Sequence, residues 1–108
     1  MSLNISVVFQ GGLDNLFSKK PSHKLTIPAT SDGKPANLTY LIFWLRDNLL
    51  SEREELFIQD GTVRPGILVL VNEVEGSGDG TDWELLGEGD YELKSGDEII
   101  FISTLHGG

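Results

Sequence analysis

The chain has 108 residues, with 17 acidic against 8 basic side chains, a formal charge of −9, 39% hydrophobic and 23% charged residues, and no cysteine. This fits one small domain with its own core and argues against overall disorder. The charge disfavours direct contact with nucleic acid or an anionic membrane, which need a basic stripe, and favours a basic protein partner; the lack of cysteine rules out disulfides, thiolate nucleophiles and sulfur-ligated zinc.

The stretch LNISVVFQ alternates, with Leu3, Ile5, Val7 and Phe9 on one face and Asn4, Ser6 and Gln10 on the other, as in a half-buried strand. Gly11-Gly12 ends it. LDNLF is expected to make a single helical turn, and HKLTI a second strand with Leu25 and Ile27 inward. His23 is assigned to the polar face of that strand. PATSDGKPAN has loop composition. Asn37 is a candidate N-cap for an amphipathic helix whose apolar face carries Leu38, Leu41, Ile42, Leu45 and Leu49, with Phe43 and Trp44 to its sides. SEREELF continues as a short polar helix or turn.

Asp60-Gly61 and Arg64-Pro65-Gly66 are turn signals, the second suited to a type II turn. ILVLV (67–71) is apolar on both faces, which predicts an interior strand. NEVEGSGDGTD is an acidic, glycine-rich loop, DWELLGEGDYEL a short strand and a turn, and EIIFIST a central last strand. One long helix must bury its apolar stripe on one face of one sheet, so the fold class is α+β in two layers. Residues 1–104 are expected to form the domain and 105–108 a flexible tail. The N-terminus has no basic leader, and no run reaches the ~18 apolar residues of a membrane span. A soluble, cytoplasmic protein is expected.

Catalytic chemistry needs a constellation, and none emerges. His23 and His106 lack metal-ligand spacing, and Glu52, Glu54, Glu55, Glu73 and Glu75 fit a solvated acidic face. The GSGDG stretch has no Lys-Ser/Thr of a phosphate loop, and Asp79 lacks the spacing of a calcium loop. No metal site and no bound cofactor are expected, and the chain is not expected to be an enzyme. The final Gly107-Gly108 is different. It is open to dull explanations: chance, an expression scar or a frayed end. The chemical alternative is that the terminal carboxylate, ionised at neutral pH, attacks the α-phosphate of ATP to give an acyl-adenylate. Glycine has no Cβ, so such a tail threads a narrow channel and leaves its acyl carbon open to attack.

The stretches FQGGLDNLF (9–17), ELFIQDGTVRPG (55–66), RPGILVLVN (64–72), DWELLGEGDYEL (82–93) and GDEIIFISTLHGG (96–108) together resemble the ubiquitin-related modifier family over nearly the whole chain. The departure is the segment 73–80, longer here than between the corresponding family stretches. The resemblance implies a β-grasp (ubiquitin-like) fold: a mixed sheet with one long helix packed on one face, first and last strands parallel at its centre, Ile99 and Phe101 under the helix, and Ile100 and Ile102 turned outward.

It also implies a sulfur carrier. A ubiquitin-activating-like enzyme with a rhodanese domain uses ATP and a sulfur donor to adenylate and then thiocarboxylate Gly108. The sulfur passes to a tRNA thiolase complex for 2-thiolation of wobble uridine in cytosolic tRNAs, and the same tail is conjugated to lysines of target proteins, notably in oxidative stress. Gly107 is then the flexible neighbour, and Leu105 and His106 line the activating enzyme's channel. Ile100 and Ile102, if uncovered, are expected to dock that enzyme. Two features of the residues agree: a chain without cysteine has its terminal acyl group as its simple sulfur site, and a chain at −9 is unsuited to holding tRNA itself. The alternatives are a sulfur carrier for molybdopterin synthesis, or a non-catalytic β-grasp interaction domain.

Overall fold

In the computed structural model, residues 2–31, 33–51, 53–72 and 81–103 are described. Strand β1 (Ser2–Gln10) buries Ile5, Val7 and Phe9 and exposes Ser2, Asn4 and Gln10, the alternation of a strand with one face on a core. It pairs antiparallel with β2 (Ser22–Pro28), from Ser2 opposite Pro28 to Val8 opposite Ser22. Between them a 3-10 turn (Leu13–Leu16) seats Leu13, Leu16 and Phe17 in the core.

The loop expected after Pro28 contains a small antiparallel ribbon, β3 (Thr30–Ser31) with β4 (Lys34–Pro35). Helix α1 (Leu38–Asn48) follows. Asn37 caps it: the Asn37 side chain accepts a hydrogen bond from the Tyr40 N–H at 2.9 Å, satisfying one of the unpaired donors of the first turn. Leu38, Leu41, Ile42 and Leu45 are buried, while Leu49 is only half-buried because it already lies past the last helical residue. Arg46 stacks its guanidinium over the Phe43 ring at 4.8 Å, so that side of the helix is closed by a cation–π contact.

A 3-10 turn (Glu54–Leu56) leads to the hairpin β5 (Ile58–Gln59) and β6 (Thr62–Val63). Its two loop residues, Asp60 and Gly61, have φ of 54° and 82°, the paired positive angles of a tight hairpin turn. β7 (Ile67–Val71) is interior, between β9 (Glu98–Ser103) and the two-residue β8 (Thr81–Asp82). DWELLGEGDYEL corrects the sequence expectation. Only Thr81 and Asp82 pair as a strand, and Trp83–Leu86 and Glu88–Asp90 form consecutive 3-10 turns. Gly87, at φ 95°, joins the two, in a region of backbone space that disfavours a continuing strand.

The sheet order is β2-β1-β9-β7-β8. β9 runs parallel to β1 and antiparallel to β7, so the first and last strands lie side by side near the middle. One face of the sheet carries Ile5, Val7, Phe9, Leu25, Ile27, Val69, Val71, Ile99 and Phe101, all in a single buried cluster with the inner face of α1. Among the described residues no helix is long and apolar enough to cross a membrane.

Asp97 is the one buried charged side chain among the described residues, and it is fully used. It accepts hydrogen bonds from Asn72 Nδ2, the Tyr91 hydroxyl and the Lys94 N–H, each at 2.9 Å. Asn72 in turn accepts from the Glu98 N–H at 2.9 Å and donates its own N–H to the Glu98 carbonyl at 2.7 Å. This clasp fixes where β9 begins, and so its register against β1 and β7; a slip by one residue would turn every side chain to the other face.

Burial, then the hydrogen bond and the charge of Asp97, push the half-buried Tyr91 phenol up to about 12. An unfolded tyrosine titrates near 10. The contribution of Tyr91 is therefore complete below about pH 10 and is lost as pH rises toward about 12, because the unfolded chain releases its proton first. Denaturant unfolding of wild type and Tyr91→Phe across that range is expected to show wild type losing its advantage steadily. A difference that does not change with pH would refute the assignment.

Candidate functional site at the root of the terminal segment

β9 is the strand that leads to Gly107-Gly108, and its end is held from below and from both sides. Below lies a ring cluster. Phe9 and Phe101 are register partners with centroids 5.7 Å apart, and Phe17 stacks on Phe9 at 3.9 Å. Phe57 meets Phe101 edge-on at 5.5 Å and Phe17 at 5.1 Å. All four rings are fully buried. On the β7 side, Ile67 is opposite Ser103. The turn that delivers Ile67 is closed by the Ile67 N–H donating to the Arg64 carbonyl at 3.1 Å.

On the β1 side, Gln10 is opposite Ile102, and Gly11 follows with φ 71°. A Cβ at Gly11 would collide with the Ser103 backbone carbonyl. Glycine is needed here twice over, for the positive φ and for the close approach. Sequence reasoning took Gly11-Gly12 only as the end of a strand; that it presses on the last strand is visible only when β1 and β9 are placed side by side.

Leu105, His106, Gly107 and Gly108 lie outside the described residues, as do Glu52, Glu73, Glu75 and Asp79. Of the two predicted docking residues, Ile100 is corrected: it faces away from the helix yet is only 2% exposed, flanked in register by Val8 and Leu70 on the two adjoining strands. Ile102, beside Leu68, is half-buried and keeps part of its side chain accessible. His23 is also corrected. It shares the face of Leu25 and Ile27, meets Phe9 edge-on at 5.6 Å, and hydrogen-bonds the Lys20 carbonyl at 2.8 Å. The histidine thus closes the border of the ring cluster. Among the described residues no group of three or more His, Cys, Asp or Glu side chains is placed to hold a metal ion. The Glu54 and Glu55 side chains are exposed, and Glu54 lies 3.6 Å from Arg46.

A parallel pairing of first and last strands, in a mixed sheet with one helix across it, defines a ubiquitin-like β-grasp domain. The solution structure of Urm1 from Trypanosoma brucei superposes with a TM-score of 0.77 at 42% identity, covering 99% of this chain and 97% of that one. Small archaeal modifier protein 1 from Methanosarcina acetivorans shares the fold, with a TM-score of 0.64 at 17% identity over 100% of this chain and 99% of that one. The family model Urm1 (Ubiquitin related modifier) matches residues 4–108. Ubiquitin-related modifier 1 of Coprinopsis cinerea is 55% identical over 123 aligned residues, covering 99% of this chain and 94% of its relative. The chain belongs to the ubiquitin-related modifier family.

Proposed function

We propose that the protein is a sulfur carrier and protein modifier whose working group is the carboxylate of Gly108. The observation that carries this reading is that the family match runs through residue 108, beyond a central strand clamped on both sides at Ser103. A carboxylate oxygen of Gly108 attacks the α-phosphorus of ATP in an activating enzyme, and pyrophosphate leaves. A persulfide sulfur from that enzyme's rhodanese domain attacks the acyl carbon and AMP leaves; reduction of the acyl disulfide by a thiol frees the thiocarboxylate. Apart from that carboxylate, the chain's part in these steps is to supply an unhindered acyl group on a rigid stem. Leu105, His106 and Gly107 are then the residues the activating enzyme's channel grips.

Delivery of that sulfur to a tRNA thiolase complex, for 2-thiolation of wobble uridine, suits the charge of −9: the carrier avoids tRNA, and the receiving protein holds it. Attack on the activated acyl carbon by a lysine amine instead of sulfur gives an isopeptide link to a target protein. Incubation with activating enzyme, ATP and a sulfur donor is expected to replace one terminal oxygen by sulfur, read as intact mass. A terminus that never gains sulfur would falsify the carrier reading.

The outer sheet face contributes to recognition through Ile102. Placing a carboxylate there, in Ile102→Asp, is expected to slow thiocarboxylate formation at least about tenfold, since it buries an unpaired charge in the interface. A folded Ile102→Asp protein activated at the wild-type rate would remove that face from the contact.

A further inference from the structure

Among the described residues Leu85 is the one large apolar side chain left in solvent, at 80% exposure. It does not sit on a loose loop. Trp83, two residues before it, is buried, and Leu86, the next residue, packs against the core. Asp82 caps the turn by accepting from the Glu84 N–H at 3.0 Å. The Gly87 N–H closes it on the Trp83 carbonyl, and the second turn is closed by the Asp90 N–H on the Gly87 carbonyl at 3.0 Å. Gly89 lies so close to helix α1 that a Cβ there would strike the Thr39 hydroxyl. The double turn is therefore pinned to the domain, and Leu85 is presented in a fixed place.

The stretch of chain that carries it is acidic; the nearest cation in sequence, Lys94, lies over the Tyr91 ring at 5.5 Å. Asp82, Glu84, Glu88, Asp90 and Glu92 share this segment, and no Lys or Arg occurs between Arg64 and Lys94. Both ion pairs among the described residues belong to Arg46, with Asp47 and Glu54, so none of these five carboxylates takes part in them. A fixed apolar knob within an acidic segment matches an apolar socket flanked by Lys and Arg. Because the knob is already ordered, little conformational freedom is lost on docking.

We propose that Leu85 and the acidic segment that carries it dock onto the tRNA-binding protein that accepts the sulfur. The proposal rests on the carrier reading above. It follows from charge: a protein that holds tRNA must expose a broad basic surface, and this segment is the acidic counterpart carrying an apolar anchor.

The test is direct binding of the unmodified chain to the purified thiolase complex at low and high salt, with thiocarboxylate formation followed separately. Leu85→Ala is expected to weaken binding about tenfold or more, as the loss of one buried leucine implies. Glu84→Lys with Glu88→Lys is expected to weaken it mainly at low salt and to flatten its salt dependence. Both variants should gain sulfur at the wild-type rate, since none of the substituted residues belongs to β9 or to the terminal segment. Unchanged affinity in Leu85→Ala overturns the proposal. So does a slowed sulfur gain with unchanged thiolase affinity, which would assign the knob to the activating enzyme. A wild-type chain that never gains sulfur removes the carrier reading, and this proposal with it.

Discussion

Deletion of Gly108 is expected to abolish adenylation and thiocarboxylate formation while leaving the thermal unfolding of the domain unchanged. The separation follows from where the residue stands. Among the described residues the last core residue is Phe101 and the last paired one is Ser103, held by Ile67 and by the Gly11 backbone. Beyond it five residues reach at most roughly 17 Å even fully extended, so removing one moves the carboxylate by roughly 3.5 Å. Displacement of about 1 Å is already enough to cost on the order of 100-fold in a positioned reaction. Intact mass after incubation with activating enzyme, ATP and sulfur donor reads the chemistry, and calorimetry reads the fold. Sulfur appearing on the shortened chain at the normal rate would show that the working group is not Gly108.

Phe101→Ala is expected to have the opposite profile, damaging the fold first. Phe101 is fully buried and touches both Phe9 and Phe57. Truncating a buried phenylalanine costs about 3–5 kcal/mol, against a total stability of about 5–15 kcal/mol for a domain. A fall in Tm of roughly 15–30 °C is expected for a chain of this size. Because the ring lies under the last two residues of β9, the stem of the tail should loosen before the rest of the sheet. Hydrogen exchange of the Ile102 and Ser103 amides would then rise more than that of β2. A loss below about 1 kcal/mol would mean that the ring cluster does not carry the stem.

The two variants bracket the design. One removes the proposed reacting group and spares the scaffold; the other removes the scaffold's anchor and spares the proposed reacting group. The clasp of Asp97, Asn72 and Tyr91 completes the arrangement at the far end of β9, fixing where the strand starts just as Gly11 and Ile67 fix where it ends.

Much of this was legible in the residues because it depends on local pattern. Strict alternation in LNISVVFQ identified β1 and its buried face. The spacing of Leu38, Leu41, Ile42 and Leu45 behind Asn37 identified α1 and its cap. An apolar run on both faces, as in EIIFIS, identified a central strand. The terminal glycine pair suggested the reactive end of the proposal because the absence of a side chain is itself a chemical property.

What the sequence could not settle depends on which segments meet. DWELL carries leucines that resemble a strand, but Gly87 at positive φ turns it into consecutive 3-10 turns, and only the packing of Trp83 and Gly89 leaves Leu85 outside. Ile100 has the same outward register as Ile102, flanked by Val8 and Leu70 where Ile102 has Gln10 and Leu68, yet it is 2% exposed and Ile102 only half-buried, a difference that the alternation along β9 does not carry. His23 looked polar by type and sits at the border of a ring cluster because Phe9 comes beside it from another strand. By itself, then, the sequence determined β1, α1 and the central last strand, and it singled out the terminal glycine pair for the proposal, since these rest on periodicity, capping and chemistry within a few residues. The tertiary structure alone decided which apolar residues remain on the surface and how the last strand is gripped, because both depend on contacts between residues distant in the chain.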